Sequence, residues 1–279
     1  MSVEAYLPRV HSQEVTEIRP DRGWLDLDLG AVWRFRELLV VLMMRDIQVL
    51  YKQALLGAGW AILQPVFAIV FGYFARMPSE GVPYPLFAFA GVLPWTYFAE
   101  AVRRSATGLV TDSELIRKIY FPRLIMPLAN VVTPLVDFCI AFFILLILMA
   151  FYGMAPSWKF LLVPPLMVVS ALLALSIGLW LAPINVRFRD IKHTLPFMIQ
   201  IWMYASPIVY PLSMVPEQWQ WAYSLNPMVG VIEGFRWAVF NQGEPNFMAL
   251  GMSGVIILVL LVSGLIFFRR MERSFADVI

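Results

Sequence analysis

Residues 128–151 of the 279-residue chain read LANVVTPLVDFCIAFFILLILMAF, a run in which Asp137 is the only acidic or basic residue. A helix needs about 20 mainly apolar residues to cross the roughly 30 Å hydrocarbon layer of a bilayer, so this run is long enough. The whole chain is 60% hydrophobic and 14% charged, against about 45–50% and 25% in soluble domains. This composition excludes soluble globular, disordered and collagen-like chains, and it predicts an all-α polytopic membrane protein.

Six apolar runs of this kind are separated by charged segments, and we predict that each one crosses the membrane. A further apolar run, Met228–Phe240, is shorter and contains Glu233 and Arg236, so a re-entrant or interfacial helix fits it better. The sequence therefore predicts six transmembrane helices with a re-entrant helical hairpin before the last one. The six predicted crossings are residues 54–74, 86–102, 128–151, 160–182, 195–210 and 248–268.

The distribution of positive charge predicts the orientation. With six crossings both termini lie on one side, and the segments on that side hold 18 of the 21 lysine and arginine residues. The positive-inside rule then places both termini in the cytoplasm and the protein in the cytoplasmic (inner) membrane. Residues 1–30 contain no apolar run of the kind found in a signal peptide, so we expect this segment to be retained.

Several classes of function find no support in the sequence. A net charge of +2 does not suggest nucleic acid as a partner. The single cysteine, Cys139, and the two distant histidines, His11 and His193, predict neither a disulfide nor a metal site. No Gly is followed by Lys anywhere, so the chain lacks a phosphate-binding loop. We expect no catalytic residues and no cofactor in this chain, and an energy source on a separate ATPase.

An amphipathic helix is predicted over residues 33–53, directly before the first crossing. Five of its polar residues share one face and the rest of the helix is mostly apolar, which is typical of a helix lying in the membrane interface. A plain membrane anchor and a lever that moves the first crossing both fit this pattern. The polar face consists of Arg34, Glu37, Arg45, Gln48 and Lys52.

Two predicted cytoplasmic loops mix basic, aromatic and aliphatic residues. They are TDSELIRKIYFPRLIMP (residues 111–127) and NVRFRDIKH (residues 185–193). Arginine and aromatic residues together on a water-facing loop are typical of a protein docking surface. Ordinary positively charged loops are the simpler alternative. The candidate docking residues are Leu115, Arg117, Lys118, Tyr120, Phe121, Arg123, Arg187, Phe188, Arg189 and Asp190.

Ionisable groups inside membrane segments are costly and therefore raise functional hypotheses. Asp137 has either an interhelix hydrogen bond or a role in transport. Glu100 has Arg103 and Arg104 three and four positions later, so we expect an intrahelical ion pair there.

A second group of residues predicts a broken helix and a return of the chain on the outer side. SPIVYP (residues 206–211) ends the fifth helix, and Asn226-Pro227 is a favourable helix start. Glu233 and Arg236, three apart, form either a structural salt bridge or part of an outer gate. Broken helices at membrane depth are tolerated where protein buries them or where they line a wet cavity, which favours a pathway nearby.

The combined motifs carry a family resemblance over nearly everything after residue 33. They are Arg45-Asp46, Tyr51-Lys52, Leu56-Gly57, Trp60, Pro65, Leu93-Pro94-Trp95, LIRKIYFP at 115–122, Asn185, Arg189-Asp190, the run 200–211, and Leu225-Asn226-Pro227 with Glu233 and Arg236. The chain resembles the membrane subunit of ABC-2 type exporters, in the branch that exports polyprenol-linked O-antigen, teichoic acid and capsular polysaccharide. Ala54 departs from that pattern, where Ser or Thr is more usual.

This resemblance implies a complete transporter. Two copies of the chain would form the pore, and each would bind one nucleotide-binding subunit, which holds ATP and Mg²⁺. Coupling helices would map to residues 111–123 and 184–192, and the amphipathic helix would be the gate helix. The chain then divides into a cytoplasmic segment (1–32), the gate helix (33–53), the transmembrane domain (54–268) and a cytoplasmic tail (269–279).

The substrate implied by the resemblance is a polyprenyl-diphosphate-linked polysaccharide, with membrane lipids around the assembly. Aromatic residues would line its route, and a gate would open to the outer leaflet. A drug or small-lipid exporter, an ion-coupled secondary transporter and an integral membrane enzyme are the alternatives. The pathway candidates are Trp60, Tyr73, Trp95, Tyr97, Trp202 and Tyr204. The gate candidates are Arg45, Tyr51, Lys52, Ser206, Pro207, Glu233 and Arg236.

Overall fold

The computed structural model describes residues 29–52, 70, 78–188, 190–242 and 245–272. Within these ranges the chain forms eleven α-helices and two short 3-10 turns, Trp158–Leu162 and Leu212–Met214, and no strand. The predicted all-α class is confirmed for this part of the chain. The helices are α1 (Leu29–Arg34), α2 (Arg36–Lys52), α3 (Tyr84–Thr111), α4 (Ser113–Lys118), α5 (Ile125–Val132), α6 (Leu135–Phe151), α7 (Val163–Arg187), α8 (Ile191–Tyr204), α9 (Glu217–Ser224), α10 (Pro227–Phe240) and α11 (Phe247–Glu272).

Four helical segments are long and apolar enough to cross a membrane. They are α3, α5 with α6, α7 with the turn before it, and α11, and their mean hydropathy runs from 1.2 to 2.7. The predicted second, third, fourth and sixth crossings fall on these segments. The predicted first crossing, 54–74, lies outside the described residues except for Val70.

Helix α8 covers the predicted fifth crossing but has only 14 residues. At 1.5 Å per residue it is about 21 Å long, which is short of the hydrocarbon layer. It ends at Tyr204, shortly before Pro207, which has no N–H to donate and disfavours a helical residue before it. The total of six crossings therefore remains a prediction.

Helix α3 lies at the centre of the bundle and packs most extensively on α7. Its hydropathy of 1.2 is the lowest of the four spans, yet 78% of its most apolar stretch is buried, against 17% for α11. Small residues allow the close packing, because a Cβ on Gly178 of α7 would overlap Ser105 of α3. Helix α11 instead exposes aliphatic side chains, including Val255, Leu258 and Val259.

The predicted third crossing is interrupted by Pro134. Helix α5 ends at Val132 and α6 begins at Leu135. The Thr133 hydroxyl donates to the Ala129 carbonyl at 2.9 Å in the last turn of α5. Thr133 and Pro134 keep helical backbone angles, so the two helices form one span, and Asp137 lies one turn after the Pro134 interruption.

The predicted amphipathic helix is divided at Phe35 into α1 and α2. Leu42 is buried on the side of α2 that packs against α5. Apolar side chains on other sides of the helix are exposed, among them Val41 and Met44. A helix with protein on one side and exposed apolar groups on another fits a position in the membrane interface.

Candidate functional site

The functional candidates fall at two ends of the bundle. Near the C-terminal ends of α3 and α7, the Asn185 side-chain N–H donates to the Ala106 carbonyl at 3.2 Å. The Arg123 guanidinium donates to the carbonyl of Glu272, the last residue of α11, at 2.6 Å. These contacts bring the segments after α3 and α7 and the end of α11 to one end of the molecule, which we call the basic end.

The first half of the basic end is helix α4 and the extended residues after it. Arg117 and Lys118 pair with Glu114 at 3.9 and 3.2 Å, and all three side chains are largely exposed. Tyr120 is 73% exposed, whereas Phe121 is only 5% exposed. The segment thus presents Arg117, Lys118 and Tyr120 outward.

Phe121 and Arg123 hold this segment to the bundle. Phe121 belongs to the buried apolar core, and Arg123 bonds to the end of α11. Leu115 is half-buried and packs against the same core. Of the predicted docking residues here, Arg117, Lys118 and Tyr120 are the ones accessible to another protein.

The second half of the basic end follows α7. Phe188 directly follows the last residue of α7, has an extended backbone and is 57% exposed. The Arg187 guanidinium carbon lies 5.5 Å from the centre of the Phe188 ring, a cation–π distance. Asp190 is also exposed. Arg189 lies outside the described residues.

The gate candidate Arg45 connects α2 to the basic end. Its Nη2 atom lies 2.7 Å from Asp46 Oδ1 and 2.8 Å from Asp112 Oδ1, and Asp112 separates α3 from α4. Burial raises the pKa of the Asp112 carboxyl, and the Arg45 guanidinium offsets only part of this rise. The helix predicted to be the gate helix is thus tied to the predicted coupling segment. Sequence reasoning did not single out Asp112, because nothing in its local pattern reveals a partner 67 positions earlier.

The other end holds the gate candidates Ser206, Pro207, Glu233 and Arg236. Arg236 is 5% exposed, and its Nη1 atom donates to Glu233 Oε1 at 3.0 Å and to the Pro207 carbonyl at 2.8 Å. Its Nη2 atom donates to the Ile208 carbonyl. Its guanidinium carbon lies 3.7 Å from the centre of the Phe87 ring. We call these residues the Arg236 cluster.

The predicted Glu233–Arg236 pair is confirmed, but Arg236 does more than pair with a carboxylate. It also binds the backbone carbonyls of Pro207 and Ile208, which lie in the non-helical residues 205–211 after α8; we call these residues the broken segment. Gly91 of α3 makes room for this arrangement, since a Cβ there would overlap the Ile208 carbonyl and Arg236 Nη2. The cluster therefore joins α3, α10 and the broken segment in one contact.

Asn226 is a second connection between α10 and the broken segment. Its Oδ1 accepts from the Met228 backbone N–H at 3.1 Å, so the predicted helix cap is confirmed. The same oxygen accepts from Trp202 Nε1 at 2.9 Å, and Nδ2 donates to the Ser206 hydroxyl at 2.8 Å. The local Asn-Pro pattern predicted the cap but not the contacts with α8.

A family model described as "ABC-2 type transporter" matches residues 37–240, which is most of the chain. The chain belongs to the ABC-2 type transporter family. The matched range contains Arg45, Asp112, the basic segments after α3 and α7, and the whole Arg236 cluster.

Curated ABC-2 relatives match over almost their full length. The O-antigen export system permease protein RfbA of Myxococcus xanthus is 29% identical over 254 residues, covering 88% of this chain and 96% of that protein. A protein of the same name in Klebsiella pneumoniae is 27% identical, covering 87% and 95%. The polysialic acid transport protein KpsM of Escherichia coli is 27% identical, covering 84% and 93%.

The pathway candidates of this ABC-2 chain differ in accessibility. Trp95 and Tyr97 are buried in the bundle, where the Tyr97 hydroxyl donates to the Val131 carbonyl at 3.1 Å. Trp202 is partly buried and packs edge-on against Trp95 at 6.3 Å. Tyr204 is 66% exposed and is the accessible one among the four. Trp60 and Tyr73 lie outside the described residues, as do the side chains of the gate candidates Tyr51 and Lys52.

Two further sequence predictions concern charged groups. Glu100 accepts from Arg103 Nε at 2.8 Å and from Arg104 Nε at 2.6 Å, which confirms the intrahelical pairing. In the part of the chain that the structure describes, no three His, Cys, Asp or Glu side chains are grouped to hold a metal ion.

Proposed function

We propose that this chain is the membrane subunit of an ATP-driven exporter that moves a polyprenyl-diphosphate-linked polysaccharide across the cytoplasmic membrane. The observation that carries the proposal is the ABC-2 family match together with near full-length similarity to O-antigen and polysialic acid transport proteins. Polysaccharide of the O-antigen, capsule or teichoic acid type is therefore the substrate class.

The proposed assembly contains two copies of this chain and two nucleotide-binding subunits. The chain itself performs no covalent chemistry, and the partner supplies ATP binding with Mg²⁺. Six crossings, with the first at residues 54–74 and the fifth built on α8, place both termini in the cytoplasm. The excess of lysine and arginine on the segments around the basic end supports this orientation.

The basic end is the proposed contact with the ATPase. It offers exposed Tyr120 and Phe188 flanked by Arg117, Lys118 and Arg187. Aromatic and arginine side chains contribute much of the binding energy in protein interfaces. Both halves lie at the ends of α3 and α7, which pack against each other, so one subunit can contact both.

Movement of the docked ATPase would reach the gate helix through Arg45 and Asp112. Asp112 is adjacent to α4, so a shift of α4 pulls on Arg45 and thereby on α2. Helix α2 directly precedes the proposed first crossing in the sequence, and that crossing lines the route of the lipid-linked glycan in this proposal. At the other end, the Arg236 cluster holds the broken segment against α3 and α10 as the outer gate.

The experiment that tests the proposal is affinity purification of the tagged chain from its native membranes in mild detergent. We expect a nucleotide-binding subunit in stoichiometric amount and vanadate-sensitive ATP hydrolysis. Addition of lipid-linked glycan from the same cells should change the hydrolysis rate. If hydrolysis responds only to small lipids or drugs, those compounds and not polysaccharide are the substrate class. Transport without any ATPase would overturn the whole proposal.

A further inference from the structure

Helix α11 is in contact with both ends of the bundle. It has 26 residues, which at 1.5 Å per residue makes it about 39 Å long, and it contains no proline. It packs against α7 and α10 on one side, while Val255, Leu258 and Val259 on the other side are exposed. A helix that is buried along one side only can tilt with less repacking than α3, which is buried almost all round.

At the basic end, α11 is bonded to the segment after α4. Arg123 Nη1 donates to the Glu272 carbonyl at 2.6 Å, and the Glu272 carboxylate accepts from Arg269 Nη1 at 3.0 Å. The last carbonyls of a helix lack intrahelical partners and carry partial negative charge, so a guanidinium holds this helix end. Arg123 follows Tyr120 by three positions, and Tyr120 is an exposed residue of the proposed ATPase contact. A shift of that contact therefore acts on the end of α11.

The contact with α7 gives α11 a fixed point between its two ends. The Phe267 ring stacks on the Trp180 ring, with centroids 4.5 Å apart and planes 15° apart. Trp180 Nε1 also donates to the Ser263 hydroxyl at 3.4 Å. Gly264 approaches the Ser176 carbonyl so closely that a Cβ there would be in tight contact with it. Packing of this kind opposes sliding along the helix axis, so a force on one end of α11 is relieved by tilting.

At the end that holds the Arg236 cluster, α11 is in close contact with α10. A Cβ on Gly230 of α10 would overlap the Ser253 hydroxyl and the Ala249 carbonyl, and both of these α11 residues are buried. The Ser253 hydroxyl donates to the Ala249 carbonyl at 2.7 Å, which fixes its position. With no side chain between them, the two helices shift together. Helix α10 carries Glu233 and Arg236 further along, so a tilt of α11 reaches the Arg236 cluster.

We propose that α11 is a mechanical link, which carries movement of the ATPase contact to the Arg236 cluster and thereby opens or closes the outer gate. The inference rests on the proposed function for the positions of the ATPase and of the gate. It adds a second connection to the one that runs through Arg45 and Asp112 to α2. The first connection reaches the helix before the first predicted crossing, and the second reaches the opposite end of the bundle. One docked ATPase would therefore act on both ends.

Fluorescence of bimane-labelled cysteines in the complete complex with the ATPase tests this link. Cys139→Ser removes the only cysteine of the chain. In that background, Met214→Cys places a label in the turn after the broken segment, where the side chain is 52% exposed. Met44→Cys, at a position that is 55% exposed on α2, supplies a separate label on the predicted gate helix. We expect MgATP with vanadate to change the emission of both labels when the link is intact.

Gly230→Ala breaks the link at α10, because the added methyl group pushes α11 away. We expect the emission change of the Met214→Cys label, per bound ATPase, to fall at least about fivefold. The Met44→Cys label should keep its response. The matched control is Gly254→Ala, the same substitution on the exposed side of α11, where a Cβ meets nothing within 4 Å. The control should respond as the parent chain does.

Arg123→Met breaks the link at the basic end, since it removes the donor to the Glu272 carbonyl and keeps a long side chain. The Met214→Cys response per bound ATPase should fall in this variant too, and Arg123→Lys, which retains a cation and a donor, should recover part of it. An undiminished response in Arg123→Met, or a parent chain in which only the Met44→Cys label responds, would overturn the link. If neither label responds in the parent chain, the ATP-driven mechanism itself fails and the link fails with it.

Discussion

The two ends of the bundle carry similar residue types in opposite settings. At the basic end, the ion pairs between Glu114 and its neighbours are more than half exposed, and Tyr120 projects into solvent. At the other end, Arg236 is almost fully buried and donates to Glu233 and to the Pro207 and Ile208 carbonyls. Exposed ion pairs contribute about 0–1 kcal/mol, whereas breaking a buried one costs several. This contrast fits the proposed roles of the basic end as a docking surface and of the Arg236 cluster as a closed outer gate.

The most severe test of this contrast is Arg236→Met. It leaves Glu233 buried without its cation and removes the donors to the Pro207 and Ile208 carbonyls. We expect a loss of about 3–5 kcal/mol in stability, measured by unfolding of the purified chain in detergent. Adding Glu233→Gln should recover part of the loss, because a neutral side chain is cheaper to bury. Lys118→Met at the exposed end should change stability by less than about 0.5 kcal/mol, and an equal loss there would remove the contrast.

Asn226→Ala removes only neutral hydrogen bonds from the end of the bundle that holds the Arg236 cluster. The variant loses the cap of α10 and leaves Trp202 Nε1 and the Ser206 hydroxyl without this partner. We expect destabilisation by about 2 kcal/mol in the same unfolding measurement. Asn226→Asp should retain the cap, because a carboxylate oxygen still accepts from the Met228 backbone N–H. Equal stability of the alanine variant and the parent would show that the cluster does not depend on Asn226.

Asp112→Asn tests the ion pair between Arg45 of α2 and Asp112, through which a shift of α4 would move α2 in the proposed mechanism. The Arg45 side chain is 39% exposed, so solvent screens the pair and the loss of stability should stay below about 1 kcal/mol. The ATPase should still bind, but its hydrolysis should no longer respond to the glycan. Glu114→Gln, on the exposed side of α4, is the control. A response that survives in Asp112→Asn would place the mechanical connection elsewhere.

Tyr120→Ala is expected to have the smallest effect on stability, within about 0.5 kcal/mol. Its effect on ATPase affinity should nevertheless be at least tenfold, because exposed aromatic side chains are frequent binding hot spots. Trp158→Ala is the matched control, since that ring is equally exposed, at 73%, on the loop that leads into α7. Pull-down titration of the ATPase distinguishes the two variants. Equal affinities would contradict the placement of the docking surface.

The sequence predicted the features that depend on local pattern. Four of the six crossings predicted from the apolar runs coincide with helical segments long enough to span a membrane, and Asn226-Pro227 predicted the start of α10. Phe35 divides the helix expected over Trp33–Lys52, and a helical pattern of polar residues gave no sign of that break. Pro134 was visible, but its position inside a long apolar run hid the interruption.

The long-range contacts could not be predicted from one sequence. Arg236 was assigned to Glu233 because they are three positions apart, yet its carbonyl partners lie 28 and 29 positions away. The aromatic residues illustrate the same limit. Trp95 and Tyr97 belong to the most buried span, whereas Tyr204 at the end of α8 is exposed, and composition alone does not distinguish these settings.

The central position of α3 has a consequence for how the protein is made. This helix has the lowest hydropathy of the four spans and carries Glu100, Arg103 and Arg104. Charged residues weaken the insertion of a helix on its own, so α3 should enter the bilayer efficiently only when later helices are present to pack around it. In a glycosylation-mapping assay, α3 should insert incompletely in chains truncated after Thr111. It should insert fully in chains that extend through α7. The helices would then become stably integrated into the membrane in a different order from the one in which they are synthesised.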